Sequence, residues 1–150
     1  MLWYLGMIII AHNIRSLHNI GSIFRNAGAF GIEKIYLTGY TATPPRKEIA
    51  KVALGAQDLV PWEAGEIQEV VSTLNNQGYA VWGLETGEQA KNINEVKIVK
   101  LALVLGSEVE GIDQETLQSL DGIIEIPMDK KRSLNVSVAS GIAMYLLQSK

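Results

Sequence analysis

The stretch "IPMDKKRSLNVSVASGIAMYLL", residues 126–147, carries the strongest fold signal in the chain, because a strand end, a cationic loop and a long apolar helix follow one another within it. Ser133 and Asn135 stand at the helix entrance, and either residue type caps helices well. A helix needs only one cap, however, and three cations at residues 130–132 directly precede this one. A helix N-terminus flanked by cations suits an anion such as an RNA phosphate. The stretch therefore indicates either a simple helix cap or an anion-binding site.

Working outward from this stretch, short apolar runs alternate with segments of helical periodicity. Strands are predicted at residues 5–11, 34–39, 79–84, 101–105 and 122–126, with "DLVPWE" as a brief extended edge. Helices are predicted from Asn19 to a Gly31 cap, over "RKEIAKVAL", and at residues 66–77, 113–120 and 134–148. Uninterrupted apolar strands between helices are typical of an α/β fold, a mostly parallel sheet with helices on both faces. Ligands of such sheets gather at the carboxyl ends of the strands.

Length and composition limit the possible domain organisation and class of the protein. A chain of 150 residues with 47% hydrophobic and 19% charged residues fits a single domain, residues 1–150, with a sizeable core. There is no cysteine and only two histidines, so we expect no metal centre. The apolar opening run ends at His12, too short for a bilayer span, and lacks the marks of a secretory signal. We therefore expect a cytoplasmic protein without membrane partners.

The net charge of −3 conceals an uneven distribution. Residues 1–51 carry six Lys/Arg against two Glu, residues 52–128 three Lys against thirteen acids, and residues 129–150 four Lys/Arg against one Asp. If the two basic ends meet in the fold, they form a positive patch that attracts a phosphate backbone. The alternative is an ordinary scatter of solvated surface charge.

Two further strand-to-helix junctions carry polar residues that suggest a ligand-binding site. In "NIGSIFRNAGAFG", Arg25 follows Asn19 by six residues and is expected on the same general side as the start of the helix, where it could hold a phosphate or carboxylate. The alternative is a surface arginine. In "VLGSEVEGI", glycines flank Glu108 directly after a strand, which suits close approach of a nucleoside. The alternative is a glycine-rich turn with a solvated Glu.

Taken together, "NIGSIFRNA", "LGSEVEG" and "IPM…SLNVSVA" resemble, in order and spacing, the three signature motifs of the SpoU (TrmH-type) family of SPOUT RNA methyltransferases. The resemblance extends from Ile8 to Leu147. It implies methyl transfer from S-adenosylmethionine to a ribose 2′-hydroxyl of tRNA or rRNA. It also implies a SPOUT fold with a C-terminal trefoil knot, a rare exception to the usual topology rules. Family members work as homodimers, in which the first-motif arginine reaches the partner's site.

The resemblance also assigns residues. Those matching catalytic positions are Arg25, Asn19, Glu108, Ser133 and Asn135; those matching cofactor-binding positions are Gly106, Ile126, Met128 and Leu134. Because a guanidinium stays protonated at ordinary pH, we expect Arg25 to bind the adjacent phosphate and stabilise alkoxide charge rather than act as a base. Glu108 would orient Asn19 or Arg25, and Ser133 and Asn135 would position the ribose or brace the cofactor loop.

The chain departs from the family pattern in two places. Many relatives carry five residues including a glycine between "IPM" and "SLN", whereas here "DKKR" has four and no glycine. Many relatives also carry an appended RNA-binding domain, which we do not expect here. RNA recognition is therefore assigned to the surface of the dimer, with the cations at the basic ends of the chain as candidates: Arg15, Arg46, Lys47, Lys130, Lys131 and Arg132.

Substrate and rival functions follow from these features. We expect tRNA rather than rRNA as the substrate. The rival interpretation that remains is a SPOUT-like dimer that binds RNA without transferring methyl groups, which the shortened loop would favour. A nucleotide-dependent dehydrogenase or kinase has no support, because neither GxGxxG nor GxxxxGK[ST] occurs.

Overall fold

The computed structural model of the chain describes residues 6–148, so Leu5, where the first strand is predicted to begin, lies outside the described residues. The strands are β1 (Ile8–His12), β2 (Lys34–Thr38), β3 (Trp62–Gly65), β4 (Ala80–Leu84), β5 (Lys91–Asn92), β6 (Leu101–Leu105) and β7 (Gly122–Glu125). The α-helices are α1 (Leu17–Phe30), α2 (Lys47–Ala53), α3 (Ala56–Leu59), α4 (Ile67–Asn76), α5 (Gln114–Gln118) and α6 (Val136–Gln148). A short 3₁₀ turn covers Ile93–Glu95.

The strands form one sheet in the order β3-β2-β1-β6-β4-β7-β5, and every neighbouring pair is parallel. β1 and β6 lie side by side within it and are buried along their whole length. This explains why both are continuous apolar runs without polar alternation. The expectation of an α/β fold with a parallel sheet is confirmed.

The core lies on both faces of the sheet. Ile9 and Ala11 of β1 pack with apolar residues of α1, α2 and α6, whereas Ile8 and Ile10 pack on the other side with α4. Alternate residues of a strand point to opposite faces, so one apolar strand supplies both halves of the core. Each fully buried Ile contributes about 1.5–3 kcal/mol relative to exposure. The predicted helices on both faces are therefore confirmed.

The start of α1 differs from the prediction. Ser16, not Asn19, is the N-cap, and its hydroxyl accepts a hydrogen bond from the Asn19 backbone N–H at 3.1 Å. Serine and asparagine cap equally well, so residue type alone could not choose between them. The Asn19 side chain is thereby available for another partner. The other end is as predicted, with Gly31 in the left-handed conformation at φ 71°.

Two other expectations need correction. The extended edge predicted at "DLVPWE" begins only at Trp62, because residues 56–59 form the short helix α3 after a left-handed break at Leu54 and Gly55. The two-residue strand β5 was not predicted, since it is too short to show a period. The trefoil knot implied by the resemblance stays a prediction. No helix within residues 6–148 is both long and apolar enough to cross a bilayer.

Candidate functional site

A cavity of about 590 Å³ opens at the carboxyl ends of β4, β6 and β7 and is bordered by the segment that leads into α6. Cavities of this size are typical of small-molecule and cofactor sites. Its walls combine apolar side chains with carboxylates. The predicted site residues that line it are Gly106, Glu108, Ile126, Met128, Arg132, Ser133, Leu134 and Asn135. The fold therefore brings together residues from the second and third motifs that lie about twenty or more positions apart along the chain.

Glu108 connects this cavity to the start of α1. Its Oε2 accepts hydrogen bonds from the Asn19 side-chain amide (3.0 Å) and the Ser16 backbone N–H (3.0 Å), and its Oε1 accepts one from the Arg15 backbone N–H (3.1 Å). The first and second motifs thus meet through one carboxylate. Burial on its own would raise the pKa of Glu108, but the hydrogen bonds from Asn19 and from backbone N–H groups outweigh it and lower that pKa below its usual range. Of the two partners expected for Glu108, Asn19 or Arg25, the structure has Asn19, although the Glu108 side chain is also exposed to solvent.

The Glu108 hydrogen bonds predict a pH-dependent contribution to stability. Because the folded state lowers the Glu108 pKa, its stabilisation is present above the unfolded value of about 4.3 and is lost as pH falls through the folded value. We expect Glu108→Gln to lower the free energy of unfolding by no more than about 1 kcal/mol at pH 7, because the carboxylate is exposed and solvent screens its contacts, and by less at about pH 3. Urea unfolding at both pH values measures this, with exposed Glu110→Gln on the same loop as the matched control. An equal deficit at both pH values would contradict the assignment.

The loop that carries Glu108 is closed at its base. Ser107 and Gly111 exchange two backbone hydrogen bonds, at 3.1 and 3.0 Å, and Gly111 has a left-handed φ of 70°. A Cβ added to Gly106 would lie 2.6 Å from the Gly111 carbonyl carbon and 2.6 Å from Ile112 Cγ1. Contacts this close do not occur between real atoms, so residue 106 has to be glycine for this loop to form.

Glu85 is a site residue that the sequence analysis missed. It follows β4 directly, lines the cavity, and accepts hydrogen bonds from the backbone N–H groups of Thr86 (3.0 Å) and Ile112 (3.1 Å). It therefore ties the loop after β4 to the end of the Glu108 loop. A single Glu after a predicted strand carries no pattern, although its place at the carboxyl end of a parallel strand was a usable signal.

Asn135 occupies the N-cap position of α6. Its side-chain oxygen accepts hydrogen bonds from the backbone N–H (2.8 Å) and hydroxyl of Ser137, and its carbonyl accepts one from the Ala139 N–H at 2.9 Å. The capping alternative thus describes Asn135 in this structure. Ser133 lines the cavity and is exposed, so its hydroxyl is accessible to a ligand.

Arg25 does not line this cavity. It borders a second, open groove of about 710 Å³ between α1 and α6. The expectation that Arg25 and Asn19 share a side of the helix is wrong, because six residues at 3.6 per turn rotate Arg25 by roughly 240° from Asn19. Within one chain, Arg25 is therefore separated from the other residues assigned to catalysis.

The groove that Arg25 borders also carries exposed apolar surface. Val138 and Tyr145 of α6 line it and are 50% and 61% exposed. Phe30 at the end of α1 packs edge-on against Tyr145, with ring centroids 5.8 Å apart. Apolar side chains of this size, clustered around one arginine, are unusual on a solvent-facing surface and typical of contact surfaces.

All six cations assigned to RNA binding are exposed. The Arg15 guanidinium carbon lies 5.4 Å from the centroid of the Tyr40 ring, and Arg46 Nε lies 3.8 Å from a Glu48 carboxylate oxygen. Arg132 alone of the six lines the cavity. No group of three or more His, Cys, Asp or Glu among residues 6–148 is arranged to hold a metal ion.

Comparisons with known proteins bear on this fold and cavity. The sequence model of the SpoU rRNA Methylase family matches residues 6–145. The chain is 34% identical over 143 residues to the 23S rRNA (guanosine-2′-O-)-methyltransferase RlmB of Vibrio parahaemolyticus, a match that covers 93% of this chain and 57% of the relative. The chain thus spans little more than half the length of the first curated relatives that it matches.

Solved structures agree with the family match. The A. aeolicus TrmH/SpoU tRNA modifying enzyme superposes with a TM-score of 0.84 at 28% identity, over 97% of this chain and 75% of that one. The AdoMet-bound rRNA methyltransferase from Sinorhizobium meliloti superposes with a TM-score of 0.87 at 22% identity, over 94% and 55%. The fold is therefore that of the SPOUT methyltransferases. More specifically, the chain belongs to the SpoU rRNA methylase family.

Proposed function

We propose that this protein transfers the methyl group of S-adenosylmethionine to a ribose 2′-hydroxyl of RNA. The observation that carries the proposal is the cavity at the carboxyl ends of β4, β6 and β7, which gathers the second- and third-motif residues. Family membership supports the same reaction, and the relatives' names include both 23S rRNA and tRNA enzymes. We keep tRNA as the first substrate class to test.

The residues around the cavity fit S-adenosylmethionine, which carries a cationic sulfonium and an ammonium group. Four carboxylates line the cavity, Glu85, Glu108, Glu110 and Glu125, and they favour a cationic ligand. Arg132 can pair with the single carboxylate of the cofactor. Apolar side chains flank the polar ones and suit an adenine ring: Leu84, Leu105, Ile126 and Leu134. The AdoMet-bound relative supports the same ligand.

Bound S-adenosylmethionine supplies an electrophilic methyl group and a good leaving group, so the protein has mainly to align the 2′-oxygen and ease loss of its proton. Ser133 and Asn135, at the cavity mouth, would orient the ribose. Arg25 would bind the neighbouring phosphate and stabilise the developing alkoxide charge, while the proton leaves to phosphate or water. Asn19 and Glu108 would hold the first and second motifs together.

Because Arg25 does not line the cavity of its own chain, we also propose a homodimer in which a second copy supplies it. The apolar groove between α1 and α6, with Val138 and Tyr145 exposed beside Arg25, supports contact between copies there. A two-fold dimer would present each Arg25 to the partner's cavity. RNA would then bind across the exposed cations of this domain, and the enzyme would act in the cytoplasm.

The test is transfer of labelled methyl from S-adenosylmethionine to separated tRNA and rRNA that lack their own modifications. Alkaline hydrolysis cannot cleave beside a 2′-O-methyl ribose, so we expect label in an alkali-resistant dinucleotide from one RNA class. The RNA class that carries label identifies the substrate. Binding of both cofactor and RNA without transfer would favour the inactive RNA-binding dimer and implicate the "DKKR" loop.

A further inference from the structure

The loop after β2 presents Tyr40 on a fixed backbone. The Tyr40 N–H donates to the side-chain oxygen of Asn13 at 3.1 Å. The next residue, Thr41, is buried; its hydroxyl donates to the Ala11 carbonyl (3.0 Å) and accepts from the Ile14 N–H (3.0 Å). Tyr40 itself is 50% exposed. The backbone on both sides of this tyrosine is thus tied to the end of β1, while half of the side chain faces solvent.

Asn13 holds this arrangement in a conformation that few residues adopt. Its φ is +57°, in the left-handed region, and only one other non-glycine among residues 6–148 has a positive φ. Such a conformation costs of order 1 kcal/mol and is concentrated at functional sites. While its side-chain oxygen accepts from Tyr40, its amide nitrogen lies 3.3 Å from His12 Nε2. In this conformation the Asn13 side chain reaches both the Tyr40 backbone and the His12 ring.

Arg15 completes the feature and joins it to the candidate site. Its guanidinium lies over the Tyr40 ring, with 5.4 Å from Cζ to the ring centroid, and its side chain is exposed. Its backbone N–H donates to Glu108, which lines the cavity. The exposed Tyr40 ring and the Arg15 guanidinium are thus connected to the cavity wall through the hydrogen bond between the Arg15 backbone and Glu108.

We propose that Arg15 and Tyr40 form a stacking platform for an unpaired nucleobase close to the ribose that is methylated. Aromatic faces and guanidinium planes are the groups on which proteins stack bases of single-stranded RNA. Neither group can stack on a base that remains paired within a helix. The inference rests on the proposed function and narrows the class of RNA substrate, because the methylated nucleotide must then lie in or beside a loop, bulge or other unpaired segment.

The test compares two RNA probes that share one stem sequence: a hairpin whose stem is closed by a uridine loop, and a perfect duplex of the same stem without the loop. We expect the wild-type protein to bind the hairpin more tightly, and Tyr40→Ala to weaken hairpin binding about 5- to 100-fold without weakening duplex binding. Tyr40→Phe should retain hairpin affinity because the aromatic face remains. The affinity for S-adenosylmethionine should be the same in all variants. Leu59→Ala, an exposed residue of α3, is the matched control.

A crosslink gives a second readout that a purely structural role would not produce. With 5-iodouridine in the hairpin loop, irradiation should attach the RNA at residue 40 of the wild-type protein. Wild-type hairpin affinity in Tyr40→Ala, or equal losses in Tyr40→Ala and Tyr40→Phe, would overturn the platform while leaving methyl transfer intact. A wild-type protein that binds the hairpin no more tightly than the duplex would also overturn the platform, whereas the proposed function stands or falls separately on the labelled-methyl assay with tRNA and rRNA.

Discussion

Replacement of Arg25 by alanine is expected to reduce methyl transfer to RNA about 10²- to 10³-fold, the usual cost of removing a group that stabilises transition-state charge. The stability of the folded subunit and its affinity for S-adenosylmethionine should change much less than methyl transfer, because Arg25 is exposed within one chain and does not line the cavity of that chain. Single-turnover transfer, thermal unfolding and cofactor titration measure the three quantities separately. Arg25→Lys tests the geometry, since lysine keeps the charge but loses the forked pair of donors.

The position of Arg25 on α1, beside the groove between α1 and α6, makes a sharper test possible. If each site uses the partner's Arg25, a heterodimer of one Arg25→Ala subunit and one Asn135→Ala subunit contains one intact site. Co-expression with two different tags isolates this heterodimer, and we expect about half of the wild-type activity from it. Each homodimeric variant alone is the control. A heterodimer no more active than either variant would show that Arg25 does not act across the interface.

The second large effect is expected for Gly106→Ala. The new Cβ would press on the Gly111 backbone and Ile112, so the loop has to open and its two closing hydrogen bonds between Ser107 and Gly111 are lost. We expect a loss of about 1–3 kcal/mol in stability, together with at least about tenfold weaker binding of S-adenosylmethionine. Denaturant unfolding and isothermal titration measure the two effects.

Gly87→Ala is the matched control for that substitution. Gly87 lies in the loop after β4, and a Cβ there would meet only Ile123 Cδ1, at an ordinary contact distance of 3.4 Å. It should leave cofactor affinity unchanged. Full cofactor affinity in a folded Gly106→Ala protein would mean that the shape of the Glu108 loop does not determine binding.

The sequence predicts the sheet better than the boundaries of the helices. The continuous apolar runs in β1 and β6 predict buried parallel strands, because runs of about five apolar residues are too short for a typical buried helix. Helix starts depend on which of several polar side chains reaches a free N–H group. Ser16 and Asn19 compete for that role, and Glu108, 89 residues beyond Asn19, engages the Asn19 side chain. A local sequence pattern cannot reveal a hydrogen-bond partner that lies so far away along the chain.

Some residues of the candidate site were predictable from the sequence and others were not. Motif resemblance brings Gly106, Glu108, Ser133 and Asn135 to one cavity, where the structure has them. Helical rotation places Arg25 outside that cavity, and in the proposed homodimer a second copy of the chain would supply it. Glu85 and Tyr40 belong to no motif used in the sequence analysis, so their roles emerge only from their contacts with backbone amides and with Arg15.

The Glu108 carboxylate has a consequence for the order and strength of ligand binding. Glu108 lines the cavity, and its carboxylate also accepts hydrogen bonds from the backbone of Arg15 and Ser16 and from the side chain of Asn19. A cofactor that orders the Glu108 loop is expected to order the backbone of residues 15 and 16 as well. The Arg15 side chain on this backbone is expected to face RNA. Thermodynamic linkage then requires reciprocity: whatever factor the cofactor adds to RNA affinity, RNA adds to cofactor affinity.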